Sequence, residues 1–288
     1  MRIRPRRSVL YLPASNARAL AKARELPADV LVFDLEDAVA PERKEPAREQ
    51  LLEALAQGGY GQRELVIRTN AAGTPWFDGD VEAVAASPAH ALCLPKVEGA
   101  EELASVARRL EELRPGNGIA LWSMAETPAG VFNIREIAAG SEKLEVIMMG
   151  TSDLSRELRA RHTPGREALC FALSHCVLAA RERGLDIIDG VHLDLADTEG
   201  HAEACRQGRD LGFDGKSLIH PAQIAAANVA FSPSPEEQEQ ARAMITAWAE
   251  AEAEGRGVLV LNGKLVENLH IEEARRTLAV AEAIAQFA

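Results

Sequence analysis

Short runs of apolar residues recur along most of the chain and are separated by longer mixed or polar segments. Short runs rich in Val, Ile and Leu are typical of strands that are buried on both faces. The pattern predicts eight strands: Val9–Leu12, Val30–Leu35, Leu65–Arg68, Ala91–Leu94, Ile119–Ala125, Val146–Met149, Asp186–Leu193 and Lys216–His220.

The segments between these runs mostly show helical periodicity. In Glu101–Leu113, and again in Ala47–Leu55, apolar side chains return every three or four residues, as they do on one face of an α-helix. The Ala- and Leu-rich segment Glu167–Arg183 predicts a further helix, and Gly184 suits the residue that ends it.

Strands that alternate with helices indicate parallel pairing, because parallel neighbours need a crossover connection. Eight such units predict an α/β fold of the closed (β/α)8 TIM-barrel type, whose typical length is about 250 residues. We assign residues 1–231 to this catalytic domain. An open doubly wound sheet is the alternative, but no G-x-G-x-x-G motif follows the first predicted strand.

The last part of the chain has a different pattern. Ser232-Pro-Ser-Pro235 interrupts the alternation, and Glu236–Glu254 then has one apolar helical face. Val258–Leu261 and Lys264–Val266 flank Asn-Gly, which is a strong hairpin signal, and a last helix follows. Residues 232–288 therefore predict a helix–hairpin–helix extension that packs outside the barrel or on a neighbouring subunit as a lid.

Composition narrows the classes of function. A net charge of −12 argues against a nucleic-acid partner, whose phosphates need a basic face. No apolar stretch approaches the ~20 residues of a membrane span, and the apolar run after the basic amino terminus is too short for a signal peptide. Cys93, Cys170, Cys176 and Cys205 form no CxxC pair, so we expect free thiols and a cytoplasmic protein.

Charged side chains follow several of the predicted strands, at the point where each strand ends. In a barrel the carboxyl ends of all strands converge on one mouth, which is where TIM barrels place their active sites. Mostly anionic groups with a guanidinium suit a hard divalent cation bound together with an anionic substrate. The group consists of Asp34, Glu36, Asp37, Arg68, Lys96, Glu126 and Asp153.

Glu126 and Asp153 are the best pair of metal ligands in this group. Both follow apolar strands, and Gly150 lets the chain turn sharply before Asp153. Mg²⁺ is commonly held by one or two carboxylates, with waters and substrate oxygens completing the octahedron. The alternative makes Glu126 a cap of the following turn and Asp153 the N-cap of a helix.

The other charged groups also keep two interpretations each. The carboxylates of residues 34, 36 and 37 either flank a bound cation or form a solvated loop paired with Arg43 and Lys44. Arg68 either binds a substrate carboxylate and stabilises an enolate oxygen or forms a structural ion pair, and the same holds for Lys96. His220 is either part of a ligand wall or a core histidine. Lys216 could form a Schiff base with a substrate, but the pair of candidate metal ligands makes this interpretation the less favoured one.

Eight segments in order resemble one known family, from residue 7 to beyond residue 280. The family is the citrate lyase β-subunit-like branch of the HpcH/HpaI aldolase superfamily. The segments are RRSVLYLPASNARALAKA, VFDLEDAVAPERKEPAR, VIRTN, LCLPKVEGAEEL, MAETPAG, MMGTSDLSRELRAR, IIDGVHLDLADTEG and GFDGKSLIHPAQIAAANVAFSPSPEEQEQA.

The resemblance implies a TIM barrel, a bound Mg²⁺ and reversible carbon–carbon cleavage of a CoA thioester. It implies that Glu126 and Asp153 are the metal ligands and that Arg68 binds substrate. The acidic cluster would act beside the metal through water, with Asp37 as a catalytic carboxylate and Lys96 among the substrate-binding groups. The groups expected near CoA are Tyr11, Arg18, Lys22, His220 and Pro221.

The resemblance also implies that the carboxy-terminal hairpin covers a neighbour's active site in a homotrimer or hexamer and delivers an aspartate. Here Glu267 stands at that position, and its side chain is one methylene longer. If Glu267 is the acid or base, a misplacement of about 1 Å could cost on the order of 100-fold in rate. This departure leaves the acyl group open.

We therefore predict a Mg²⁺-dependent carbon–carbon lyase that acts on a 3-hydroxyacyl-CoA of the citryl, malyl or citramalyl type, giving an acyl-CoA and an oxo acid. Two alternatives remain. One is a metal-dependent aldolase acting on free 4-hydroxy-2-oxo acids, and the other is a non-catalytic carrier-docking or regulatory subunit. Fold alone does not decide among them.

Overall fold

The computed structural model describes residues 3–287, and these form two compact units. One unit is Arg6–Phe231, and the other contains the chain from Ser232 onward together with the described residues before Arg6. The division thus falls at the Ser-Pro-Ser-Pro segment. The predicted barrel domain starts at residue 1, and the barrel unit of the structure begins at Arg6. The Arg6 guanidinium donates to Glu64 at 2.8 Å.

Eight parallel strands close into a barrel in chain order, so that the first strand pairs with both the second and the eighth. The predicted (β/α)8 TIM barrel is confirmed. The strands are β1 Ser8–Pro13, β2 Val30–Asp34, β3 Glu64–Arg68, β4 Ala91–Leu94, β5 Ala120–Ala125, β6 Leu144–Met149, β7 Asp186–Asp189 and β8 Gly215–Leu218.

Helices cover the outside of the barrel and connect its strands. They are α1 Ala17–Lys22, α2 Lys44–Gln57, α3 Phe77–Ala86, α4 Ala100–Leu113, α5 Pro128–Phe132, α6 Ile134–Ala138, α7 Thr151–Glu157, α8 Cys170–Arg183, α9 Thr198–Asp210 and α10 Ile224–Ala230. As predicted, Gly184 ends α8 in the left-handed conformation, with φ 68°.

Strand side chains alternate between two apolar layers because successive residues point to opposite faces. Val9, Val32 and Val66 belong to the cluster that fills the barrel, together with the fully buried Trp122. The opposite faces of the same strands pack against the helices in a larger cluster. A filled barrel leaves its carboxyl-terminal mouth as the place for a site.

Two strands end at least two residues before their predicted ends. β7 ends at Asp189 and not at Leu193, and β8 ends at Leu218 and not at His220. Beyond these points the apolar side chains of Val191, Leu193 and Ile219 line a cavity. The predicted strands were too long because these residues are apolar, but they form part of the cavity wall and not of the strands.

The carboxy-terminal unit contains α11 Pro235–Ala253, β9 Leu259–Leu261, β10 Lys264–Val266 and α12 Asn268–Phe287, which confirms the predicted helix–hairpin–helix extension. Asn262 and Gly263 have φ values of 51° and 75°, as a tight hairpin turn requires. Trp248, Leu259 and Ile271 belong to a small core of the unit's own. Among the described residues, no helix is long and apolar enough to cross a membrane.

Candidate active site

A cavity of about 380 Å³ opens at the carboxyl ends of the barrel strands. Acidic side chains of the β2, β5 and β6 connections line it together with Arg68 at the end of β3. Met124 and Met149 contribute apolar surface on the same cavity. Charged groups therefore share the cavity with an apolar wall, which suits a ligand with an anionic part and an aliphatic part.

Arg68 is buried and held on several sides. Its Nε and Nη2 donate to the two carboxylate oxygens of Asp34 at 2.8 and 2.7 Å, and its Nη1 lies 3.0 Å from Oε2 of Glu36. The guanidinium carbon lies 4.8 Å from the centre of the Tyr11 ring, a cation–π distance. Burial opposes ionisation of Asp34, but the bidentate Arg68 holds the pKa of that carboxyl below its usual range.

The connection after β2 folds around the same carboxylate. Asp34 accepts the backbone N–H groups of Glu36 and Ala38 at 2.8 and 3.0 Å, which makes a tight turn. Lys44 is buried and donates to the backbone carbonyls of Leu35 and Glu36 at 2.9 and 2.7 Å. Lys44 therefore fixes the backbone of this turn, and the solvated-loop interpretation fails for Asp34 and Glu36, which are buried.

Glu126 directly follows β5 and is also buried. Its Oε1 accepts the backbone N–H of Lys96 at 2.7 Å, and the Lys96 ammonium pairs with Glu36. The other oxygen faces Gly150, where a Cβ would lie 2.4 Å from Oε2. A residue with a Cβ at position 150 would therefore displace this carboxylate, and glycine does not.

The electrostatics of Glu126 suit a cation. Burial, and secondarily the neighbouring Glu36, raise the pKa of Glu126 from 4.5 to about 7. Within residues 3–287 it forms no ion pair with a lysine or arginine, although Lys96 and Arg68 act on it at longer range. A buried carboxylate of this kind gains a compensating charge when a divalent cation binds.

Asp153 lines the same cavity from the first turn of α7. It is not the N-cap of that helix, because Gly150 occupies the N-cap position, and its side chain pairs with Arg156 at 2.8 Å. In the described part of the chain, no group of three or more His, Cys, Asp or Glu side chains is arranged as a metal site. A Mg²⁺ held by Glu126 and Asp153 would take its other ligands from water and substrate, as Mg²⁺ commonly does.

The residues expected around CoA differ in their surroundings. Tyr11 lies on Arg68 and lines the cavity, whereas Arg18 and Lys22 are exposed on α1. Nδ1 of His220 accepts the N–H of Ala222 at 3.2 Å and caps a short 3-10 turn that begins at Pro221. His220 is therefore a capping residue next to β8.

Two further predicted residues do not belong to the buried cluster. Asp37 is exposed and lines the cavity, so it is accessible to a substrate. Glu267 belongs to the carboxy-terminal unit, where its N–H donates to His270 at 3.0 Å. The structure thus brings Asp34, Glu36, Arg68, Lys96 and Glu126 into direct contact and places Asp153 and Asp37 on the same cavity.

Met124 is a site residue that the sequence analysis missed. Its sulfur lies 3.7 Å from the Tyr11 hydroxyl and 3.7 Å from Nη1 of Arg68. The signal was the alternation within β5, which puts Met124 and Glu126 on the same face as the strand leaves the barrel. Lys216 is fully buried and pairs with Asp189 at 2.8 Å, while its neighbour Ser217 lines the cavity, so the Schiff-base interpretation fails.

Comparison with known proteins extends these observations. The family model HpcH/HpaI aldolase/citrate lyase matches residues 7–221. A (3S)-malyl-CoA thioesterase of Cereibacter sphaeroides is 50% identical over 283 residues, which cover 98% of this chain and 97% of the relative. Citrate lyase subunit beta of Escherichia coli is 35% identical over 284 residues, which cover 97% and 94%.

A solved structure shows the same architecture. CitE of Mycobacterium tuberculosis, in complex with magnesium, acetoacetate and coenzyme A, superposes with a TM-score of 0.79 at 31% identity, covering 98% of this chain and all of that one. The fold, the order of the motifs and the near-complete coverage agree with one another. The chain belongs to the HpcH/HpaI aldolase/citrate lyase family.

Proposed function

We propose that this protein is a Mg²⁺-dependent enzyme that cleaves the carbon–carbon bond of a short 3-hydroxyacyl-CoA of the malyl type. The observation that carries the proposal is the buried Glu126 carboxylate, which has a raised pKa and shares one cavity with Asp153 and Arg68. Those two carboxylates would hold the cation, and Arg68 would receive the carboxylate of the substrate. The malyl class is supported by the relatives that are 50% identical.

The chemistry that Mg²⁺ supplies when bound is polarisation of the oxygen on C3 of the substrate. Asp37 accepts the proton of the 3-hydroxyl, and the C2–C3 bond breaks with its electron pair moving into the thioester. Arg68 stabilises the negative charge that develops. Return of a proton to C2 completes an acyl-CoA and leaves an oxo acid, which for malyl-CoA are acetyl-CoA and glyoxylate.

The remaining parts of the site would bind CoA and exclude water. The exposed Arg18 and Lys22 on α1 follow the carboxyl end of β1 and would bind phosphate groups. Val191, Leu193 and Ile219 provide apolar contact for the pantetheine arm. A bound coenzyme A in the Mycobacterium tuberculosis neighbour supports this part of the proposal.

The proposed oligomeric state rests on the resemblance to the citrate lyase β-subunit-like family. The carboxy-terminal unit would cover the cavity of a neighbouring subunit in a homotrimer or hexamer, and Glu267 would supply the proton to C2. Several apolar residues of the hairpin region are exposed, including Val260 and Leu265. We place the protein in the cytoplasm, which agrees with its free cysteines.

Hydrolysis of the thioester is the second candidate, and one observation favours it. The relatives at 50% identity are named (3S)-malyl-CoA thioesterases, whereas the lyase subunits are 35% identical. Water would attack the thioester carbonyl, the bond from carbon to sulfur would break, and malate and free CoA would form. Both reactions need the same bound substrate, so their products distinguish them.

The test is to incubate the purified protein with (3S)-malyl-CoA and Mg²⁺ and to identify the products by chromatography. Acetyl-CoA with glyoxylate establishes the lyase, and malate with free CoA establishes the hydrolase. Free 4-hydroxy-2-oxo acids in parallel test the aldolase alternative. Absence of every product, with Mg²⁺ and a properly folded protein present, overturns the proposal and supports a non-catalytic subunit.

A further inference from the structure

Lys96 has a backbone conformation that is unfavourable for a lysine. Its φ is 54°, in the left-handed region where residues with a Cβ are strained. The turn is fixed at two points, since the Lys96 N–H donates to Glu126 at 2.7 Å and the Val97 carbonyl packs on Gly130, where a Cβ would lie 2.5 Å from that oxygen. Glycine would meet these backbone requirements without strain, so the lysine side chain needs a reason of its own.

The side chain contacts one partner that is itself shared. The Lys96 ammonium pairs with Oε1 of Glu36, whose Oε2 lies 3.0 Å from Nη1 of Arg68. Glu36 therefore bridges two cations, and its side chain is only 7% exposed. Asp34 occupies Nε and Nη2 of Arg68, which leaves Nη1 for another carboxylate. Nη1 donates to the Met124 sulfur at 3.7 Å, and Oε2 of Glu36 lies against it as an ion-pair partner without a hydrogen bond.

We propose that Lys96 is a positioning residue that retains Glu36 when the carboxylate of an oxo acid or hydroxy acid takes its place on Arg68. The inference rests on the proposed function, in which Arg68 receives such a carboxylate. A buried carboxylate that loses its partner is costly, and Lys96 removes this cost because it keeps the ion pair. Lys96 thereby acts on the substrate through Glu36 and does not contact the substrate.

This arrangement predicts a specific coupling between two residues. Lys96→Met should weaken binding of pyruvate, the simplest stable 2-oxo acid, by about tenfold, because the displaced Glu36 would be unpaired. The same change removes a positive charge near Glu126, so it should leave the affinity for Mg²⁺ equal or higher. In a Glu36→Gln background no charge needs retention, and Lys96→Met should then change pyruvate binding by less than about threefold.

The experiment is calorimetric titration of pyruvate into the full-length protein, with and without saturating Mg²⁺, for the wild type, both single variants and the double variant. Lys96→Arg keeps a cation and should restore binding. Lys96→Gly relieves the left-handed strain and keeps the N–H, so it should match Lys96→Met and replaces it if that variant unfolds.

An equal loss of pyruvate binding on Lys96→Met in the wild-type and Glu36→Gln backgrounds would show that Lys96 contacts the ligand directly and would overturn the proposal. Failure of the wild-type protein to bind pyruvate would also overturn the proposal. The coupling is measured without turnover, so it can hold when malyl-CoA is not cleaved, and it can fail when cleavage is observed. The two proposals therefore fail separately.

Discussion

At the scale of single residues, the protonation of Glu126 connects stability with metal binding. Burial and the nearby Glu36 raise its pKa to about 7, whereas an unfolded chain releases the proton near pH 4.5. Between these values the native state binds more protons than the unfolded state, so stability falls as the pH rises. A bound divalent cation would replace the proton and remove this loss.

We expect Glu126→Gln to be more stable than the wild type above pH 7 in EDTA, because glutamine resembles the protonated side chain. The gain should approach about 3 kcal/mol at pH 8 and vanish below about pH 4, where both states are protonated, since each pKa unit corresponds to about 1.4 kcal/mol. Urea unfolding of both proteins at several pH values measures it. Parallel pH profiles for the two proteins would show that Glu126 does not titrate in this range.

At the scale of elements, the turn from β6 into α7 determines where Glu126 can lie. A Cβ at position 150 would be 2.3 Å from Cβ of Glu126 and 2.4 Å from its Oε2. Real Cβ atoms do not approach so closely, so one of the two elements must move. The position therefore couples a backbone turn to the proposed metal site.

Gly150→Ala should weaken Mg²⁺ binding at least about tenfold and lower the stability of the metal-free protein by about 1–3 kcal/mol, as overpacking does. Calorimetric titration and urea unfolding give the two quantities. Gly118→Ala is the matched control, because its Cβ would meet nothing within 4 Å. Unchanged Mg²⁺ affinity in Gly150→Ala would separate this turn from the metal site.

The sequence predicted the elements better than their ends. The barrel and the hairpin follow from local patterns, such as apolar runs and the Asn262-Gly263 turn. The ends of β7 and β8 were missed because Val191 and Ile219 are apolar residues that line the cavity and do not continue the strands. An apolar run does not reveal whether it faces a sheet neighbour or a ligand.

The site was predictable as a set of residues but not as a set of contacts. Strand ends indicated Arg68 and Glu126, because all strands of a barrel end at one mouth. No local pattern could show that Tyr11 lies on the guanidinium or that Lys44 holds two carbonyl groups of the β2 turn. These contacts depend on residues that are distant in the chain and on side-chain directions.

At the scale of the whole molecule, the proposal divides one active site between two subunits. The barrel unit would provide the metal ligands, and a neighbour's carboxy-terminal unit would provide Glu267. Each unit has its own apolar core. An arrangement of this kind allows two different inactive variants to complement each other.

Glu126→Gln and Glu267→Ala should each be inactive, whereas co-expression in equal amounts should restore about a quarter of the wild-type activity. In a cyclic oligomer with random mixing, half of the barrels are intact and half of those receive an intact neighbour. Activity per mass of purified mixed oligomer measures this. Failure to restore activity, with mixed oligomers shown by mass spectrometry, would place Glu267 on its own barrel or outside the site.

The most direct measurement of the central claim is turnover of (3S)-malyl-CoA at saturating Mg²⁺ by the wild type, Glu126→Gln and Asp153→Asn, with an EDTA-treated wild type beside them. We expect turnover by the wild type alone, lost in EDTA and restored when Mg²⁺ is returned. Equal turnover in either variant, or turnover that EDTA leaves unchanged, would contradict a magnesium site built from Glu126 and Asp153.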